Sequence, residues 1–323
     1  MLLKELKTHL KHHFAEFDKI FSASMQSNVP LMNVITKYLV KRKGKQMRPM
    51  FVFFIADICG SINPSTYRAA TLIELLHTAT LVHDDVVDDS NFRRGVFSIK
   101  ALWKNKIAVL LGDYLLSRGL LLSIDNDETH LLKIVSTAVR EMSEGELLQI
   151  EKARKLDIKE DIYFDIIRQK TASLIASCCA VGAASVEANK ETIEKMRLFG
   201  EYVGIAFQIK DDLFDYQVVN KTGKPSGIDI KEQKMTLPLI HMLNNSSSDT
   251  RKRIIKTIKK HNDNEEKVME VIKEVNQSGG IKYANDKMYE YLNKALDILK
   301  EFPDSKSRNS LETLVKYTAE RNK

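Results

Sequence analysis

No proline falls between residues 65 and 224. Proline breaks helices because its ring fixes φ and removes an N–H donor, so a run this long without one permits extended helices. Apolar residues recur there at helical spacing, as at Leu72, Leu75, Leu76, Ala79 and Val82. No sustained two-residue alternation bounded by hairpin turns accompanies them, which argues against a sheet. The prolines, at 30, 49, 64, 225, 238 and 303, fall outside that run. Gly60 to Pro64 closes one helix, and Ser65 or Thr66 opens the next. Asp125–Asn126–Asp127, residues 220–228, residues 244–249 and Ser278–Gly279–Gly280 mark further breaks, the last ending a helix that begins near Asn264. No internal repeat stands out. The expectation is an all-α chain, with residues 1–323 forming one large helical domain.

Composition narrows the function classes. A hydrophobic share of 43% supports a large core, and 29% charged residues suit helices with wet outer faces. The net charge of +7 and pI of about 9.0 admit nucleic acid, an anionic membrane surface or anionic substrates. The chain lacks the basic–aromatic interleaving of a single-strand groove, and stretches such as Arg251 to Lys260 read as solvated helix faces, so no nucleic-acid partner is expected. Cys59, Cys178 and Cys179 have no zinc spacing, and an adjacent pair makes a strained disulfide, which fits a reducing compartment. Met1 to His13 carries Lys and His every few residues and has no apolar signal core. The longest uncharged small-residue run, Thr171 to Val186, is shorter than the ~18 residues a spanning helix needs. The reading is a cytoplasmic protein, peripheral at most on a membrane.

Two acidic clusters carry the chemistry. Asp84, Asp85 and Asp88 follow an apolar helix; Asp84 and Asp88, four apart, share one face, with Asp85 about 100° round. Asp211, Asp212 and Asp215 repeat the spacing. One such cluster could be an acidic surface helix end. Two, each set among Val, Leu, Ile and Phe without interleaved cations at i+4, point instead to hard oxygen ligands for Mg²⁺, which binds one or two carboxylates together with water and phosphate oxygens. The picture is of two acidic patches facing each other across a cavity that holds metal and diphosphate. Gly44–Lys45–Gln46–Met47–Arg48–Pro49 is a short basic loop that can grip phosphate. Arg93 and Arg94 follow the first cluster, where paired guanidinium groups suit diphosphate. Lys224 and Lys234 lie in or beyond the loop after the second cluster, placed to close over bound phosphate.

The segments GKQMRP (44–49), LIELLHTATLVHDDVVDDSNFRRG (72–95), GDYLLSRG (112–119), GELLQ (145–149), KTASL (170–174), GIAFQIKDDLFDY (204–216) and GKPSGIDIKEQKMTLPLI (223–240) run in one order along most of the chain. In these motifs the chain resembles the trans-isoprenyl diphosphate synthases, or polyprenyl synthetases, and most of all their long-chain members. The resemblance implies the isoprenoid synthase fold, a helical bundle around a central cavity. It implies that Asp84, Asp85 and Asp88 bind Mg²⁺ for the allylic diphosphate, and that Asp211, and less directly Asp212 and Asp215, hold the remaining metal of a set of three ions. Arg93 is implied to contact the allylic diphosphate, and Lys45, Arg48, His77 and Arg94 the isopentenyl diphosphate. Lys170, Lys224 and Lys234 would brace the leaving diphosphate, with Thr171 and Gln208 near the carbocation. A homodimer is implied, with farnesyl diphosphate as primer. One departure is Gln233 before Lys234–Met235–Thr236–Leu237–Pro238, where the family has glycine; this affects loop shape more than charge.

The implied reaction breaks an allylic C–O bond, lets the isopentenyl double bond attack the cation, and loses a proton to the released diphosphate. Charge neutralisation of the leaving group and a dry cavity are its requirements. Product length follows cavity depth. Ala79 and Thr80, five and four residues before Asp84, are small where short-chain relatives carry a bulky aromatic; Ile73 and Leu76 lie one to two turns deeper, about 11 Å at two turns. The expectation is a long-chain product, octaprenyl-like, suited to quinone side chains. A cap formed by Leu76, or by a residue of the Leu115 to Leu122 segment, would instead give a farnesyl or geranylgeranyl product. A class I terpene cyclase would carry a different second metal motif and no isopentenyl site, and a non-catalytic partner subunit would have lost the aspartates.

Overall fold

Helices carry nearly all of the backbone in the structure, a computed structural model that describes residues 2–41, 44–93, 95–156, 159–217 and 227–321. Among these residues the helices in chain order are α1 (Leu2–His9), α2 (Lys11–Ser24), α3 (Pro30–Lys41), α4 (Met47–Cys59), α5 (Pro64–Val87), α6 (Ile99–Ile124), α7 (Thr129–Lys155) and α8 (Glu160–Ile167). A π-helical turn (Arg168–Ala172) leads into α9 (Ser173–Ala184), followed by α10 (Lys190–Phe214), α11 (Ile228–Lys231), α12 (Leu237–Asn244) and α13 (Ser248–Lys260). The last three are α14 (Glu265–Gln277), α15 (Gly280–Lys300) and α16 (Lys306–Glu320). The expected breaks at 125–127, 244–249 and 278–280 all separate helices. The only strands among the described residues are β1 (Phe92–Arg93) and β2 (Val96–Phe97), an antiparallel hairpin pairing Phe92 with Phe97 and Arg93 with Val96. It is too short to leave an alternation in the sequence.

The chain forms two compact units. The first comprises Met1–Thr137, Ser177–Arg197 and Pro303–Leu311; the second comprises Ala138–Ala176, Leu198–Phe302 and Glu312–Lys323.

In the first unit α4 is apolar on all sides and buried on all sides: no residue from Met50 to Ala56 is more than 2% exposed. Phe14 and Phe17 of α2 meet Phe53 of α4 edge-on, with ring centroids 5.7 and 6.1 Å apart. Beside them runs α5, whose predicted apolar face (Leu72, Leu75, Leu76, Ala79 and Val82) is buried. Its N-terminus differs from the expected Ser65 or Thr66 start. Asn63 is the cap, Pro64 occupies the first turn, and Thr66 closes a capping box: Asn63 Oδ1 accepts from the Thr66 N–H at 3.1 Å, while Thr66 Oγ1 accepts from the Asn63 N–H at 3.3 Å. Proline suits that position because its φ is already helical and its missing N–H has no partner to lose. Asn63 also donates to the carbonyl of Ser185 at 3.0 Å, tying α5 to the end of α9.

Helix α6 packs along α5 where Gly112 faces His83; a Cβ there would lie 2.0 Å from His83 Nε2. Near its start the helix breaks at Lys104, with φ 71°. Contrary to the expectation drawn from uncharged runs, α6 is long and apolar enough to cross a membrane, with a mean hydropathy of 1.7, and only a third of the qualifying stretch is buried. Asp113 and Arg118 interrupt it, which is why a search for uncharged stretches passes over it.

The second unit ties α8, α12 and α15 together through Tyr283, which stacks on His241 at 4.3 Å and donates to Glu160 Oε1 at 2.6 Å. Asn276 of α14 donates to the carbonyl of Tyr216, just past α10, at 3.1 Å.

Loss of an N-cap side chain costs about 1–2 kcal/mol. Asn63→Ala is expected to lower the free energy of unfolding by that amount in urea denaturation; an unchanged midpoint would mean that the capping box does not hold α5.

Candidate active site

Geometry sorts the first three aspartates by direction. Asp84 and Asp88 are exposed together on the last turn of α5, as i, i+4 neighbours must be, whereas Asp85 points inward and is 3% exposed. The hairpin folds back on α5 and brings Arg93 Nε to 2.7 Å from Asp85 Oδ1. Burial pushes the Asp85 carboxyl above its ordinary value, and Arg93 works against that rise.

Next to this pair lies a cavity of about 450 Å³. Its lining includes Arg48 and Gln46 from the start of α4, Glu74, His77 and Asp85 from α5, and Arg93, together with the apolar Met25, Leu39, Leu81 and Val82. Predicted contacts for both diphosphates, Arg48, His77 and Arg93, are thus gathered at one cavity. Lys45 is exposed and does not line it. Gln46 does instead, in a left-handed conformation (φ 54°) with its side chain held by Lys7 Nζ at 2.9 Å. Arg94 lies outside the described residues. The proposed length determinants do not line this cavity either. Ile73, Leu76 and Ala79 are buried, with Leu76 beside Gly119 of α6, and half-buried Thr80 donates to the His77 carbonyl at 2.9 Å.

In the second unit the π turn carries Lys170 and Thr171 between two glycines. A Cβ on Gly145 of α7 would lie 2.8 Å from the Lys170 backbone nitrogen, and one on Gly204 of α10 would lie 2.5 Å from Ala172 Cα. Only glycine lets both helices approach the turn so closely. Single π turns of this kind cluster at functional positions. Thr171 Oγ1 donates to Gln208 Oε1 at 2.7 Å, and Gln208 Nε2 donates to Asp212 Oδ1 at 2.8 Å. Tyr163, buried, donates to Asp212 Oδ2 at 2.7 Å. Lys170 forms an ion pair with Glu146 and donates to Gln149 Oε1 at 3.3 Å.

The second aspartate triplet divides its roles differently, with one aspartate partly exposed and two bonded internally. Asp215 accepts from the backbone N–H groups of Ile228 and Asp229 at 2.9 and 3.0 Å, capping α11. Asp212 is 6% exposed, its two oxygens taken by Tyr163 and Gln208. Asp211 is 40% exposed and meets Arg321 Nη2 at 2.6 Å. Burial, and then the Asp229 charge, push Asp212 up to about 8; burial, and then Asp215, push Asp229 up to about 6. Lys234 pairs with Glu232 and lies 3.8 Å from Asp229 Oδ1. Lys224 lies outside the described residues.

Tyr163, Asp229, Arg321 and Glu146 therefore contact the candidate residues, although the sequence reading did not single them out. Asp229 and Glu146 sit inside the quoted segments 223–240 and 145–149, and an acidic residue five before Lys234 was a readable signal. Tyr163 and Arg321 lie outside every motif.

Magnesium suits this donor set. Among the described residues no three carboxylate, imidazole or thiol groups gather closely enough to hold an ion unaided. Two exposed carboxylates on one helix face, and one at Asp211, match an ion that takes few protein oxygens and completes its shell with water and phosphate.

Residues 29–275 match the model of the polyprenyl synthetase family. A relative from Rhodobacter capsulatus, all-trans-nonaprenyl-diphosphate synthase (geranyl-diphosphate specific), is 38% identical over 95% of this chain and 94% of its own. A crystal structure of a decaprenyl diphosphate synthase from Rhodobacter capsulatus matches with a TM-score of 0.93 and 32% identity, covering 99% of both chains. A polyprenyl synthase from Caulobacter crescentus CB15, crystallised with calcium and isoprenyl diphosphate, matches at 0.90 and 31%, covering 99% of this chain and 98% of that one.

The raised carboxylates carry a pH signature. An aspartate has an unfolded value of about 3.9, so the folded state binds more protons than the unfolded state from there up to the raised value. Stability of the metal-free protein is expected to fall as pH rises from about 4 to about 8, the window set by Asp229 and Asp212. Melting temperatures across that window should show a shallower decline in Asp212→Asn; an equal slope in both proteins would remove Asp212 as the cause.

Proposed function

Because the chain belongs to the polyprenyl synthetase family and is a prenyltransferase of the long-chain trans-polyprenyl diphosphate class, we propose that it extends farnesyl diphosphate with isopentenyl diphosphate to an octaprenyl-like product. The observation that carries the chemistry is the cavity that Arg48, His77, Asp85 and Arg93 line together with the apolar Met25, Leu39, Leu81 and Val82.

Family members depend on magnesium. Three ions per site are proposed, with the solvent-accessible carboxylates of Asp84, Asp88 and Asp211 as ligands and Asp85, Asp212 and Asp215 acting behind them. Bound magnesium supplies the charge neutralisation that lets the allylic C–O bond break. The chain does the rest. Arg93, Lys170, Lys224 and Lys234 take the oxygens of the leaving diphosphate, and Lys45, Arg48, His77 and Arg94 hold the isopentenyl diphosphate. Thr171 has its proton committed to Gln208, so its lone pairs remain available to the allylic cation. Gln208 is held in turn by Asp212, which Tyr163 orients. The isopentenyl double bond forms the new C–C bond, and the proton it loses goes to the departing diphosphate.

Length control is assigned to Ala79 and Thr80, with Ile73 and Leu76 deeper. Residues 1–323 are proposed to work as a single polyprenyl synthetase domain, since the family match spans segments of both units. A homodimer is proposed through α6, where Leu102, Val109, Leu110, Leu120, Leu121 and Ile124 are each at least 40% exposed. Asp113 and Arg118 would be costly in a bilayer, so a second copy is the better cover for that face. The enzyme is placed in the cytoplasm, touching the membrane to deliver a lipid destined for quinone side chains.

Purified protein with Mg²⁺, farnesyl diphosphate and labelled isopentenyl diphosphate should yield a ladder ending near eight isoprene units by mass spectrometry. Ala79→Phe should shorten it to farnesyl or geranylgeranyl. A wild-type ladder already ending there would remove the long-chain assignment and keep the family. Asp84→Ala should lower turnover by about a hundredfold or more.

A further inference from the structure

The residue that meets Asp211 comes from beyond α16. Arg321 is only 10% exposed on its side chain, while its partner carboxylate is 40% exposed. Its guanidinium carbon sits 3.8 Å from the ring centroid of Phe207 and 5.7 Å from that of Phe214. These rings lie four residues before and three after Asp211 on α10, so one helix face presents two aromatic rings and a carboxylate, a cradle matched to a planar cation. Two further hydrogen bonds hold it: Nε donates to the Thr318 carbonyl at 3.1 Å and Nη2 to the Phe207 carbonyl at 3.4 Å. The guanidinium is thus held by rings and carbonyls, while the carboxylate it meets is the more exposed partner.

We propose that Arg321 is a built-in counter-ion for Asp211, which a divalent cation must displace before Asp211 can serve as a ligand, so that metal loading releases the end of α16. The proposal rests on reading Asp211 as a metal ligand. It follows from charge and geometry together. Asp211 and Asp212 stand on the last turn of α10 and Asp215 just beyond it, where it accepts from the Asp229 N–H at 3.0 Å, so carboxylates crowd this end of the helix. Of the four, Asp212 and Asp215 spend their oxygens on internal donors and Asp229 has Lys234, which leaves Asp211 to take Arg321. A dication drawn to Asp211 repels the guanidinium lying against it. Linkage makes the effect reciprocal: whatever Arg321 costs the metal in affinity, the metal costs Arg321 in contact.

The test is Mn²⁺ binding in the presence of inorganic diphosphate, followed by electron paramagnetic resonance, in the wild type, Arg321→Gln, Arg321→Lys and Asp211→Asn. Arg321→Gln should bind Mn²⁺ at least about fivefold more tightly than wild type, the low end of a typical coupling between sites. Arg321→Lys keeps the charge without the planar fork and should fall between them, which guards against a Gln variant that folds poorly. In the wild type, loading with Mn²⁺ and diphosphate should speed hydrogen exchange at residues 315–321. Wild-type or weaker affinity in a cooperatively melting Arg321→Gln, with exchange unchanged on loading, would overturn the proposal. If Asp211→Asn weakens Mn²⁺ binding while Arg321→Gln leaves it alone, the counter-ion role falls and the ligand reading stands. If Asp211→Asn also leaves it alone, the ligand reading itself is gone.

Discussion

Like charges held close together need a counter-charge, and that requirement organises both units. The aspartates that suit the family's chemistry stand one and four residues apart on helices, and at an effective dielectric of about 20 two such charges 4 Å apart repel by about 4 kcal/mol. The protein answers with internal cations. Arg93 pairs with Asp85, Lys234 lies near Asp229, and Arg321 pairs with Asp211. Lys170 is held in the same manner by Glu146. Among the described residues, Arg93, Lys170 and Lys234, three of the cations suited to grip a diphosphate, are thus already engaged by carboxylates, and substrate binding to them becomes an exchange of partners.

The same requirement divides labour within each aspartate triplet. Asp84 and Asp88 stay exposed because four residues put them on one outer face, while Asp85, a step round the helix, turns in to Arg93. In the second triplet Asp211 stays partly open, Asp212 anchors Tyr163 and Gln208, and Asp215 caps α11. The motif reads as three equivalent ligands; in the second triplet its geometry gives one partly exposed carboxylate and two residues that set the position of others. Thr171 depends on this arrangement through Gln208, and the π turn that carries it depends on Gly145 and Gly204.

Much of this was legible from residue types and spacing. The proline-free run, the apolar period and the polar breaks located the helices, because those signals are local. The shared face of Asp84 and Asp88 followed from helical pitch, and Arg48, His77 and Arg93 do meet at one cavity. Illegible were the partners supplied by chain distant in sequence. Tyr163 reaches Asp212 across 49 residues and Arg321 reaches Asp211 across 110, and neither belongs to a motif. The Asn63 cap was misjudged because Pro64 reads as a break when it is in fact a first-turn residue. Helix α6 was passed over as an apolar element because two charges interrupt it, although its pitch leaves a broad apolar face exposed.

The partner-exchange account is tested most directly by titrating inorganic diphosphate into the metal-free protein and into protein with saturating Mg²⁺, by calorimetry. With the carboxylates unmetallated, Arg93, Lys170 and Lys234 are engaged internally, so diphosphate should bind weakly; with Mg²⁺ present it should bind about a hundredfold or more tightly, beyond the affinity of Mg²⁺ for diphosphate itself. Equal affinity in the two titrations would show that the cations are open to substrate without metal, and would contradict the account.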